Sequence, residues 1–100
     1  MSRYAISVEL KARPGKAEEV AAFLKSAEAL VAAEPATVTW YAVRFDETTF
    51  GIFDTFDDEA GRRAHLSGAV AQALMARADE LFETPPMIRQ PAILADKLPG

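Results

Sequence analysis

Apolar and polar residues alternate from Tyr4 to Lys11, with Tyr4, Ile6, Val8 and Leu10 on one side and Ala5, Ser7, Glu9 and Lys11 on the other. A two-residue period predicts a half-buried strand, and Pro14-Gly15 stops it by turn chemistry. Over Lys16 to Ala33 the period lengthens. Val20, Phe23, Leu24, Ala27, Leu30 and Val31 form one apolar stripe at helical spacing. Glu18 and Glu19 suit the positive end of that helix, and Pro35 ends it because the residue before a proline avoids the α region. Thr37 to Phe45 and Thr49 to Phe56 are rich in β-branched and aromatic residues, and the short Asp46-Glu47-Thr48 link joins them as a hairpin. Asp57-Asp58-Glu59 reads as a helix start, with Asp57 or Asp58 as cap. The helical stretch that follows runs from about Asp58 to Phe82 with a break at Ser67-Gly68, and Pro85-Pro86 closes it. Met87 to Leu94 is a last strand, which Pro91 assigns to an edge position or a bulge.

The order is therefore β-α-β-β-α-β. This is the split βαβ, ferredoxin-like arrangement, an α+β fold with helices on one face of an antiparallel sheet. No linker divides the chain, so residues 1–100 read as one domain. The hairpin register matters for any site. If Phe45 pairs with Thr49, then Trp40 faces Asp54 and Arg44 faces Phe50, on one side with Val38, Ala42, Ile52 and Phe56. The opposite side carries Val43 and Phe45 from one strand and Phe53 from the next. Neither side of such a sheet stays wet at low cost, so a second copy laid sheet to sheet is the expected cover, giving a homodimer.

Composition narrows the classes. The 100 residues include no cysteine and one histidine, and the formal net charge is −4. No disulfide framework or thiolate metal site is possible, and one histidine beside scattered carboxylates predicts no metal site. No basic stripe or phosphate-binding glycine loop is present, so neither nucleic acid nor a nucleotide cofactor is expected. No apolar run approaches the length of a membrane span, and Ser7, Glu9 and Lys11 interrupt the start. The expectation is a cytoplasmic protein with no cofactor and no membrane partner.

His65 is the one side chain whose ordinary pKa lies near neutrality, so it is a candidate base toward a phenol; the plain alternative is an exposed or capping histidine. Asp54, in an aromatic strand, needs a partner if buried, and Arg44 and His65 are the candidates. It either orients His65 or belongs to a structural ion pair. Trp40 stacks on a planar ligand or fills the core. Candidate catalytic residues are thus His65 and Asp54, and candidate substrate-binding residues are Trp40, Arg44, Phe56 and Ile52. A histidine facing a cleft supports few core contacts, so replacing it is expected to leave stability nearly unchanged.

Three stretches carry a family resemblance. Leu10-Lys11-Ala12-Arg13-Pro14-Gly15-Lys16-Ala17-Glu18-Glu19 is similar to the opening of the antibiotic biosynthesis monooxygenase family. Glu34-Pro35-Ala36, and Thr49-Phe50-Gly51-Ile52-Phe53-Asp54-Thr55-Phe56-Asp57-Asp58-Glu59-Ala60 followed by Ala64-His65-Leu66-Ser67-Gly68, resemble its middle. The resemblance implies a dimeric α+β barrel with a ligand cleft between sheet and helices, and it implies cofactor-free oxygenation of phenols or quinols, haem degradation, or no known activity. Departures sort these. The haem-degrading branch carries an Asn on the first strand, where Ser7, Val8 and Glu9 stand here. His65 lies near that branch's Trp position with no later histidine, which speaks against haem degradation. Asp54 replaces the usual Glu of the third strand, and Phe56 the usual Trp. Two functions stay open: a cofactor-free monooxygenase on a small aromatic, and a non-catalytic dimeric binding or assembly domain.

Overall fold

The computed structural model describes residues 3–99. Its elements are β1 (Tyr4–Lys11), α1 (Ala17–Ala32), β2 (Thr37–Arg44), β3 (Thr49–Phe56), α2 (Glu59–Leu66), α3 (Ala69–Ala76), α4 (Ala78–Leu81) and β4 (Met87–Arg89). The sheet is antiparallel in the order β2-β3-β1-β4, with the helices on one face. This is the expected ferredoxin-like α+β fold. No helix among the described residues is long and apolar enough to cross a membrane.

The alternating residues of β1 do what their period requires. Ile6, Val8 and Leu10 pair with Asp54, Ile52 and Phe50 and turn toward the helices. There they pack with Val20 and Leu24 of α1, Leu74 of α3 and Leu81 of α4 in one buried core. The hairpin has the anticipated register: Phe45 N–H donates to the Thr49 carbonyl at 2.8 Å, Trp40 faces Asp54 and Arg44 faces Phe50. Its turn is closed by Asp46, whose Oδ1 accepts from the backbone of Thr48 at 2.9 Å and of Thr49 at 2.8 Å. The Thr48 N–H is the main reason this carboxyl lies below the usual range.

Three details depart from the sequence pattern. A bulge between Thr37 and Thr39 pairs Thr37, not Val38, with Phe56. Val38 is therefore thrown outward and exposed, while Thr37 takes the inward position. The second helical stretch breaks twice, at Ser67-Gly68 and again at Arg77. The last strand is only three residues long. Pro91 has no N–H to give the ladder, so past Arg89 the chain is held by an isolated bridge from Tyr4 to Ala92.

The outer sheet face is unlike the inner one. Tyr41, Val43, Phe45, Phe53 and Met87 are all exposed there. All but Tyr41 line a groove of about 330 Å³ that Gly51 also lines, together with Ser7, Glu9 and Arg89.

Asp58 sets the start of α2. It is extended, and its carboxylate accepts from Gly61 N–H at 2.7 Å. Asp58→Ala is therefore expected to lower unfolding free energy by about 1 kcal/mol in urea titrations, with an unchanged m-value.

Candidate functional site

The helix face that meets the sheet and the α1–β2 turn carries Gly61, His65 and Gly68, spaced four and then three residues apart. The glycines set the distance. A Cβ on Gly61 would meet Ala36 Cβ at 3.3 Å, and one on Gly68 would meet Glu34 Oε2 at 3.3 Å. Without those side chains, the turn Glu34-Pro35-Ala36 settles close against α2 and delivers the Glu34 carboxylate to the imidazole between them.

His65 is thereby held on both sides. Its Nδ1 lies 2.5 Å from Glu34 Oε1, and its Nε2 lies 2.9 Å from Asp54 Oδ2. Thr37, placed inward by the bulge, donates its hydroxyl to Glu34 Oε1 at 2.9 Å and sits 3.5 Å from His65 Nδ1. The Phe56 ring packs against the imidazole at 5.4 Å between centroids. Asp54 is fully buried and His65 is 7 % exposed. The Asp54 contact is a close ion pair, and beyond it neither Asp54 oxygen has a hydrogen-bond partner, nor has Glu34 Oε2. Burial works against charge on the imidazole, and the two carboxylates outweigh it, so its pKa is raised above the ordinary histidine value. With a carboxylate at each nitrogen, the arrangement favours the protonated form of the ring.

A separate cleft of about 470 Å³ opens between α1 and β2. Its walls include Leu24, Ala21, Trp40, Ala42 and Phe50, with Glu18, Lys25, Glu28 and Arg44 at the polar margin. Arg44 does not reach Asp54. It pairs with Glu18 across the cleft at 2.9 Å and lies over the Phe50 ring at 5.0 Å, which a strand-end position two residues from the turn allows. Trp40 lines this cleft, while its cross-strand partner Asp54 does not. The Trp40 indole nitrogen is buried without a partner. His65 instead lines a mostly apolar pocket of about 450 Å³ at the far end of α1, with Glu34, Thr37, Gly61 and Gly68. The six sequence candidates therefore form two groups. Trp40 and Arg44 belong to the cleft. His65, Asp54 and Phe56 form a buried cluster behind it, and Ile52 belongs to the core beside them.

Glu34 and Thr37 were not among the sequence candidates. The available signal was the pairing of the lone histidine with glycines four residues before and three after it, a face that only a closely approaching segment can occupy. Among the described residues no group of three or more His, Cys, Asp or Glu is arranged to hold a metal ion. The two carboxylates sit on opposite edges of the ring.

No family model and no curated protein matches the chain. Solved structures do. A protein of unknown function from Nitrosomonas europaea is 49 % identical over 100 % of this chain and 97 % of its own, with a TM-score of 0.97. The chain belongs to that protein's family. Two more distant structures share the fold and are provisionally named antibiotic biosynthesis monooxygenases. The one from Chloroflexus aurantiacus J-10-fl is 18 % identical, covers 99 % of this chain and 100 % of its own, and has a TM-score of 0.75. The one from Caulobacter crescentus CB15 is 18 % identical, covers 94 % and 92 %, and has a TM-score of 0.79. The fold of this Nitrosomonas-type family is thus the antibiotic biosynthesis monooxygenase fold that the sequence resembles.

The buried pair reverses the expectation that His65 matters little for stability. Its pKa is raised on folding, so its stabilisation is complete below the unfolded value near 6.5 and is lost as pH climbs through the raised folded value. His65→Ala leaves two carboxylates facing an empty space and is expected to destabilise by about 3 kcal/mol at pH 6. Urea titrations of both proteins from pH 6 to 9 should show the gap narrowing as pH rises.

Proposed function

We propose that the chain binds a small planar aromatic hydroxyl compound, a phenol or quinol, in the α1–β2 cleft and oxygenates it without a cofactor. The observation that carries this reading is the cleft itself: an apolar slot of ligand size, walled by Trp40 and Phe50, with Arg44 at its margin. Loss of the hydroxyl proton turns such a ring into an electron-rich anion that reacts with O₂. Asp54, whose oxygens lack hydrogen-bond partners behind Trp40, is the proton acceptor once that ring moves aside. His65, with both nitrogens engaged, holds the countercharge rather than taking the first proton.

A second reading has its own support. Asp54 does not line the cleft, and an imidazole clamped between two carboxylates is what a purely structural cluster also looks like. On that reading the protein binds an aromatic molecule and does no chemistry. The single tryptophan separates the two. Adding naphthols and naphthoquinols should shift the Trp40 indole N–H resonance and start O₂ uptake, and Asp54→Asn should abolish the uptake by about 10²-fold or more while keeping the shift. A shift with no uptake from any compound supports the binding domain, and no shift at all removes the cleft from both readings.

The working unit in either case is a homodimer, in the cytoplasm. What supports the dimer is the outer face, where five large side chains are exposed, four of them around one groove. At about 25 cal/mol per Å², covering such a face with a second copy offsets much of the cost of association. Light scattering at micromolar concentration should give twice the 10.9 kDa chain mass. Phe53→Lys places a charge at the centre of the face and should yield a folded monomer.

A further inference from the structure

We propose that Glu34 is a positioning residue of the candidate site, holding the His65 ring so that its Nε2–H faces Asp54 and leaves Asp54 Oδ1 as the free acceptor behind Trp40. The proposal rests on the reading that an aromatic hydroxyl binds in the α1–β2 cleft. It assigns a role to a residue that touches neither the cleft nor the ligand.

The argument begins with the ring. An imidazole has two nitrogens, and which of them carries a proton is decided by what the other one meets. Asp54 meets the ring at Nε2 only, 2.9 Å away. Glu34 Oε1 meets the other nitrogen, Nδ1, at 2.5 Å, so the ring is held at both edges. Thr37 fixes the carboxylate in turn, donating to the same oxygen at 2.9 Å. Both side chains are themselves placed by backbone features: Thr37 by the bulge, and Glu34 by the close approach that Gly61 and Gly68 permit.

The charges point the same way. The charged groups within ion-pair distance of the ring are Asp54 from β3 and Glu34 from the α1–β2 turn, with the neutral Thr37 from β2 beside it. With only one carboxylate, the buried ring would gain a single partner against its loss of water. The second carboxylate favours the ring protonated at both nitrogens, the form in which Nε2 presents a hydrogen to Asp54. Asp54 Oδ2 is then committed to His65, and Oδ1, buried and without a partner, is the oxygen that remains for a donor from the cleft side.

The test uses two reporters that occur once each in the chain, His65 and Trp40. Glu34→Gln keeps the size of the side chain and an acceptor for Nδ1–H but removes the charge. The expected result is a fall of about one pH unit in the His65 titration midpoint, read from its ring resonances. Binding is read from the Trp40 indole N–H with 2-naphthol and with 2-methoxynaphthalene, which lacks the donor hydrogen. The wild type should prefer the naphthol by about tenfold or more, and Glu34→Gln should lose that preference while binding the ether as before. Thr37→Val loosens Glu34 without altering charge and should move both readouts the same way by less, which keeps the test decisive if Glu34→Gln folds poorly. An unchanged midpoint overturns the proposal. So does a lowered midpoint with the preference intact, which makes Glu34 structural only. If neither compound moves the Trp40 signal in the wild type, the cleft reading fails and takes the proposal with it; a midpoint that still falls in Glu34→Gln identifies that failure as one of the cleft and not of the Glu34–His65 contact.

Discussion

Taking an imidazolium out of water is costly, and in this fold two carboxylates from different segments make up for it. Asp54 belongs to β3, His65 to α2 and Glu34 to the turn that leaves α1, so one ring ties the sheet to a helix and to the entry of the hairpin. The rest of the architecture serves that meeting. Glycine at positions 61 and 68 sets how near the turn can come, and the bulge turns Thr37 inward to hold the outer carboxylate. Phe56 closes one side of the ring with carbon. A change at any of these positions reaches the imidazole, although only Asp54 and Glu34 form ion pairs with it.

The two faces of the sheet divide the work. The inner face carries the core and, at its β2 margin, the cleft beneath α1. That helix is joined to the sheet across the cleft by the exposed Glu18–Arg44 pair near one end, and by Glu34 just beyond the other. An exposed pair of this kind contributes little and weakens with salt, whereas the buried contact does not. The cleft is accordingly held firmly at its His65 end and loosely at its Arg44 end. The outer face stands apart from the core, with Tyr41, Val43, Phe45, Phe53 and Met87 exposed on it.

Much of this could be read from the chain. The two-residue and helical periods located β1, α1 and the hairpin closely, because burial on one face imposes those periods directly. The short link predicted the hairpin but left its register open, and the structure takes the register that pairs Trp40 with Asp54. Three features were less accessible. The bulge between Thr37 and Thr39 has no mark in local propensity. The second helical break, at Arg77, has neither Gly nor Pro to announce it. Glu34 looked like an ordinary residue before a proline, since its carboxylate acquires meaning only from a histidine 31 residues away. Of the two candidate partners of Asp54, His65 meets it, while the strand-end position of Arg44 brings that residue to Glu18.

The extra residue in β2 has a consequence for how such a protein can change over generations. A strand paired without interruption would carry any lengthening of the α1–β2 turn straight into the hairpin, flipping Trp40 and every residue after it to the wrong side. Val38 absorbs the slack. It lies outside the ladder and exposed, so the turn ahead of it can be re-aimed while the pairing from Thr39 onward keeps its frame. The segment that grips the histidine and the segment that lines the cleft can therefore vary independently, and one scaffold can keep its buried cluster while the slot beside it is refitted to another occupant.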